Sequence, residues 1–225
     1  MKKTTTILCL GIALCMLGCS DDDDQVTTTS TVPFSLTASL SPRSSDAEDT
    51  GILQGNWNAN SQLAVMKTGS SGVPKTILTR ETDSSDTFTG DLSTLVKNEN
   101  EIAVFYPAAA ITANSSDTLT QTLNLSGQDG TLAGITNYDY LWAQCKAGMN
   151  ETTGSSACEM TSLVTIGKFQ FTVNGGSPLN NITRITITAT AGTLYSSAVM
   201  KLKNGEFSST QTGNITIKNK AGISG

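Results

Sequence analysis

The 225-residue chain carries 14 Lys and Arg against 19 Asp and Glu and contains no His. A net charge of −5 leaves no basic stripe to neutralise phosphates, which excludes nucleic acid as a partner. The missing imidazole excludes Ser-His-Asp and Cys-His nucleophilic machinery and His-ligated metal sites.

Residues 1–18 read as an export signal. Lys2 and Lys3 supply the positive start, and the apolar run from Ile7 to Leu17 is shorter than the ~20 residues that span a bilayer. The run ends in Met16-Leu17-Gly18-Cys19, which resembles the lipobox of bacterial lipoproteins and implies lipid attachment (palmitate) at Cys19. The alternative is an ordinary secretion signal with an incidental Cys. Ser20, Asp21, Asp22, Asp23 and Asp24 look like the acidic surface-export signal of Bacteroidetes-type lipoproteins, which implies an outer-membrane protein facing the cell exterior. The same run also reads as a solvated, self-repelling tether or an incidental cation site. Residues 19–32, acidic and then Thr-rich, form a spacer.

Charged residues are only 15% of the chain, while Ser, Thr, Asn and Gly are abundant, so strands and turns are expected over helices. Phe34, Leu36, Ala38 and Leu40 alternate with Ser35, Thr37 and Ser39, the period of a strand with one buried face, and Pro42 ends it. A polar linker over 43–56 leads to Trp57 and a strand through Leu63 and Val65. Further strands are expected at Thr76–Arg80, Thr87–Gly90, Glu101–Tyr106, Leu119–Leu125 and Tyr138–Ala143. Val164 and Ile166 share one parity and Phe169, Phe171 and Val173 the other, which a bulge at Gly167 would reconcile. Ile185 and Ile187 alternate again, Met200–Leu202 joins Phe207 in a hairpin across Asn204-Gly205, and Ile215 and Ile217 mark a last strand. Strands at this spacing suggest an all-β sandwich. The Gly- and Ser-rich stretch 144–160 divides it into an N-terminal domain, 33–150, and a second domain, 151–225, too thin in strands to be complete.

Cys145 and Cys158 are the cysteines left after the lipidation site. In an oxidising compartment their pairing would close a short loop and stabilise by roughly 3 kcal/mol; the alternative is two free thiols. Asp46, Glu48, Asp49, Asp83 and Asp86 fall in linkers, where solvated loops are the better reading than a glycosidase pair. Lacking also a phosphate-cradling glycine motif, the chain is expected to be non-enzymatic, without cofactor or metal. Trp57 and Trp142 are expected in the core, and Tyr138 and Tyr140, sharing a strand face, as an exposed pair able to stack on a glycan. Asp117-Thr118-Leu119 resembles the O-glycosylation sequon of Bacteroidetes-type exported proteins, with Thr118 as acceptor.

From Phe34 to Val173 the chain resembles the fimbrillin-like family of surface lipoproteins. The residues that carry the likeness are the first strand with Ser41-Pro42-Arg43-Ser44, Trp57 before Leu63-Ala64-Val65, Phe88-Thr89-Gly90, Phe105-Tyr106-Pro107, and Tyr138-Asp139-Tyr140-Leu141-Trp142-Ala143. Asn58-Ala59-Asn60 after the Trp, and Gly167, depart from the family pattern. The resemblance implies transthyretin-like β-sandwich domains, a fimbrial subunit or tip adhesin, and other fimbrial subunits as partners in a homo- or hetero-polymer. It also implies proteolysis after an Arg, here Arg43, which removes the first strand and its anchor so that a neighbour's strand fills the groove by β-augmentation. On position alone a plain surface Arg in a loop is the better reading of Arg43. The competing reading is a surface glycan-binding lipoprotein of a polysaccharide-uptake system.

Overall fold

The computed structural model describes residues 30–41, 56–69, 75–111, 120–131, 134, 137–164 and 182–223. The strands are β1 (Thr31–Leu40), β2 (Gln62–Lys67), β3 (Thr76–Arg80), β4 (Thr87–Ser93), β5 (Glu101–Tyr106), β6 (Thr120–Asn124), β7 (Leu141–Lys146), β8 (Gly148–Met149), β9 (Gly154–Ser162), β10 (Ile182–Ile187), β11 (Tyr195–Lys201), β12 (Phe207–Thr212) and β13 (Ile215–Ile223). The protein is all-β, as the composition leads one to expect.

The main sheet runs β1-β4-β3-β2-β5-β7-β9, with the short β8 also paired to β9, and closes on itself, because β1 pairs antiparallel with β4 and also parallel with β9. Its core is one cluster built from inward-facing residues of every strand in the ring, among them Leu36, Leu63, Leu78, Phe88, Val104 and Leu141. The sandwich expected from strand spacing is therefore modified into a closed ring, and closure removes the exposed edges that an open sheet would present.

β2 and β5 read as unbroken apolar runs, and both faces of each are buried. Leu63 and Val65 point into the ring; Ala64, Met66 and Phe105 point out, to a second cluster with Leu123, Met200 and Leu202. A smaller sheet, β12-β11-β6, supplies that outer layer. The pairing crosses the expected division at residues 150 and 151: β6 binds β11, and β9 completes the ring begun by β1. The Asn204-Gly205 hairpin forms as expected, with Gly205 at φ 72° and Met200 opposite Phe207. A separate pair, β10 with β13, matches the alternation at Ile185/Ile187 and Ile215/Ile217.

Candidate functional site

β1 is the strand to which the sequence attaches a function, and its environment can be built residue by residue. Val32, Phe34, Leu36 and Ala38 are buried, while Pro33, Thr37 and Ser39 are exposed, as the alternation requires. Burying a Val, Phe or Leu side chain is worth about 1.5–3 kcal/mol each. Pairing with β4 runs from Thr31↔Ser93 to Thr37↔Thr87, and pairing with β9 from Phe34↔Gly154 to Leu40↔Met160. Pro33, which has no N–H to donate, lies just before the two-sided stretch begins.

Phe34 has a glycine opposite it on both sides, Gly90 on β4 and Gly154 on β9. A Cβ at Gly154 would meet Met149 Sδ first and then Phe34 Cδ2, at 2.7 Å, and one at Gly90 would lie 2.8 Å from the Ile77 carbonyl oxygen. Gly154 thus makes the socket for the Phe34 ring, shared with the Met149 side chain, while Gly90 makes room for the Ile77 carbonyl and Leu78.

Both ends of β1 are fastened. At the start, the Thr94 N–H (2.9 Å) and hydroxyl (3.0 Å) donate to the Ser30 carbonyl. At the finish, the Trp57 indole N–H donates to the Ala38 carbonyl at 2.6 Å, and the Ser41 hydroxyl donates to Glu159 Oε1 at 2.9 Å. Trp57 is buried, edge-on to Phe88 (5.0 Å between ring centroids) and Tyr106 (5.4 Å). It is the core residue the sequence leads one to expect. Beyond Leu40 a cavity of about 250 Å³ opens between β1 and β9, lined by Leu40, Leu141, Glu159 and Met160.

The other expected site residues separate. Tyr140 is buried rather than exposed: it packs on Phe105 (6.2 Å), and its hydroxyl donates to the Asn124 carbonyl at 3.3 Å. Burial pushes its pKa up, countered by the Asn124 backbone N–H, which donates to the same hydroxyl oxygen at 3.4 Å. Tyr138 is half-buried, and both rings precede β7 rather than sharing a strand face. The expected exposed glycan platform is thus corrected, since the outer sheet covers Tyr140. Trp142 is half-buried and donates to the Leu202 carbonyl at 2.9 Å. Cys145 and Cys158 are free thiols on β7 and β9, half-buried against the ring's core. Among the described residues no group of three His, Cys, Asp or Glu could hold a metal ion. Cys19, Ser20, Asp21, Asp22, Asp23, Asp24, Arg43, Thr118 and the Gly167 bulge lie outside the described residues.

Sequence reading passed over β9 and with it the second wall of the β1 site. Its inner face holds Ser156, Cys158 and Met160, a period-two signal carried by small and sulfur-bearing side chains rather than aliphatic ones.

No family model matches the chain, and no curated protein does. Two solved structures are similar. A candidate cell adhesion protein from Bacteroides ovatus aligns over 87% of this chain and 76% of its own, at 14% identity and a TM-score of 0.45. A fimbrial assembly protein from Parabacteroides distasonis aligns over 85% of this chain and 78% of its own, at 12% identity and a TM-score of 0.39.

Proposed function

We propose that the protein is a cell-surface fimbrial subunit or tip adhesin, non-enzymatic, that assembles by exchange of β1. The observation that carries this reading is the double pairing of β1. One strand, with alternating buried side chains and a socket at Gly154 for Phe34, is the closing piece of the ring. Taking it out would leave two unpaired backbone edges, on β4 and β9, around a row of apolar pockets. An incoming strand of the same pattern would meet both.

In this reading Cys19 carries the lipid, the Asp21–Asp24 run directs export to the outer surface, and Arg43 is the cut that frees β1 together with its anchor. An uncut chain stays membrane-bound as a base or adhesin. The partners are other subunits of the same polymer. The burial of Tyr140 takes away the main support of the glycan-uptake reading.

The test is incubation with an Arg-specific protease. Cleavage after Arg43 followed by polymers, suppressed by excess synthetic peptide copying residues 31–40, is the expected result. A chain that resists cutting and stays monomeric, or polymers indifferent to the peptide, would overturn strand exchange.

A further inference from the structure

We propose that Cys145 and Cys158 form a redox pair that closes as a cross-strand disulfide, stapling β7 to β9 in the middle of the ring's seam, with Cys145 as attacking thiol and Cys158 as resolving thiol. The register makes the case. β7 pairs with β9 at Leu141↔Ser162 and Trp142↔Thr161, and β8 pairs with β9 at Gly148↔Ser155 and Met149↔Gly154. Carried inward from either end, one step forward on one strand for each step back on the other, this register sets Cys145 opposite Cys158. Both ends give the same answer, so no bulge intervenes in the count.

Both sulfurs belong to the inner face. Leu141 and Ala143 share the parity of Cys145, Met160 shares that of Cys158, and all pack on the same core. Directly opposite residues in an antiparallel pair hold their Cβ atoms about 4.5–5.5 Å apart, and a disulfide asks for about 3.5–4.5 Å, so closing needs about an ångström of approach. Between the two paired ends, a side chain takes up a backbone acceptor: the Ser156 hydroxyl lies 2.7 Å from the Lys146 carbonyl, to which it donates, and 3.3 Å from Cys145 Sγ. The staple would fall where the seam relies on side chains.

The two thiols are unequal. A hydrogen bond from Cys158, helped by Ser156 and opposed by burial, lowers the Cys145 pKa to about 7. The Cys158 thiol is pushed up, first by its hydrogen bond to Cys145 and then by burial. Cys145 is therefore the first to become a thiolate, the form that attacks a disulfide. The oxidant is a disulfide, protein or small molecule. Cys145 thiolate attacks one of its sulfurs and expels a thiolate, which takes up a proton. Cys158 then loses its proton, attacks the Cys145 sulfur and expels the second thiolate. Two S–H bonds are lost and one S–S bond is made, while the oxidant takes up two electrons and two protons. Cys158 is also the register partner of Ala38, so the staple would hold the strand that β1 pairs with in parallel.

The full chain treated with oxidised glutathione at neutral pH tests this. Trypsin cuts after Lys97, Lys146 and Lys168, placing the two cysteines in separate peptides, 98–146 and 147–168. Mass spectrometry is expected to find these linked, and separated by dithiothreitol. In Cys158→Ser a glutathione adduct should accumulate on Cys145, whereas in Cys145→Ser the adduct on Cys158 should form at least ~10-fold more slowly. Unlinked peptides after oxidation of the wild-type chain, or equal adduct rates in the two variants, would overturn the proposal.

Discussion

Phe34 on β1 lies opposite Gly154 on β9, so close that a single added methyl at Gly154 would meet the ring at 2.7 Å. Neither strand can shift without disturbing the other, because Phe34 is also opposite Gly90 and inside the core. Gly154→Ala is expected to destabilise the protein by about 1–3 kcal/mol, the usual cost of overpacking. Met149, whose side chain lies nearer still, can swing away, so the Phe34 ring is the rigid obstacle. Phe34→Leu, with a smaller side chain, should recover part of that loss when combined with Gly154→Ala, a coupling that a double-mutant cycle in urea would measure. Gly90→Ala should not be rescued in this way, since its nearest neighbour is the Ile77 carbonyl, which is backbone. Strict additivity of the Phe34 and Gly154 changes would show that the socket does not constrain β1.

Trp57 fastens the far end of the same strand. Trp57→Phe keeps an aromatic ring against Phe88 and Tyr106 but removes the donor 2.6 Å from the Ala38 carbonyl. An unsatisfied buried acceptor costs about 1–3 kcal/mol. Trp142→Phe loses a comparable bond to Leu202 on a half-buried ring that water can reach, so its cost should be smaller. Thermal unfolding of the two variants side by side gives the comparison, and an equal loss would count against a special role for the β1 end.

How far these features could be read beforehand depends on what carried the periodicity. β1, β3 and β5 were legible because branched and aromatic residues mark their buried positions, as at Phe34/Leu36 or Ile102/Val104. β9 was not, although it also alternates, because its inner positions hold Ser156 and Cys158 rather than aliphatic residues, and Ser156 fills a place where the facing residue is large. Leu36 lies opposite Ser156, and a bulky side chain on one strand permits a small one on its neighbour. Single-chain hydropathy cannot see that exchange. Tyr140 was misjudged for the complementary reason. Its exposure depended on whether another layer would cover that face, and the layer comes from Leu123 on β6 together with Met200 and Leu202, far along the chain. Phe34 announced its burial in the sequence; Gly154, which makes room for it, became meaningful only once β9 was placed beside β1.

Ser61 is a buried residue whose hydroxyl has no hydrogen-bond partner among the described residues. Burying a hydroxyl without compensation is unfavourable. Ser61→Ala should therefore leave stability unchanged or raise it by up to about 1 kcal/mol, in contrast to the loss that core substitutions normally bring. A midpoint in urea clearly below wild type would mean that the hydroxyl is bonded after all.

The reduced protein should carry a pH signature of the Cys145 thiol. Its folded pKa is about 7, against an ordinary value of 9.0. Between these values the folded state has released a proton that the unfolded state keeps, and stability rises with pH wherever the unfolded state binds more protons. The contribution is thus complete above about pH 9 and is lost as pH falls through 7. Cys158, displaced upward, acts in the opposite sense and only above pH 9, where its unfolded thiol ionises first. Because the two thiols titrate as a pair, the neutral step depends on both, and removing the Cys145 thiol or the donor at position 158 should abolish it. Urea midpoints of the dithiothreitol-treated protein are expected to climb from pH 7 to pH 9, and to lose that slope in both Cys145→Ser, which has no thiol to titrate, and Cys158→Ala, which has no donor facing Cys145. A slope that survives in Cys158→Ala would show that Cys145 is acidified by Ser156 alone, and that the facing thiol is not its donor.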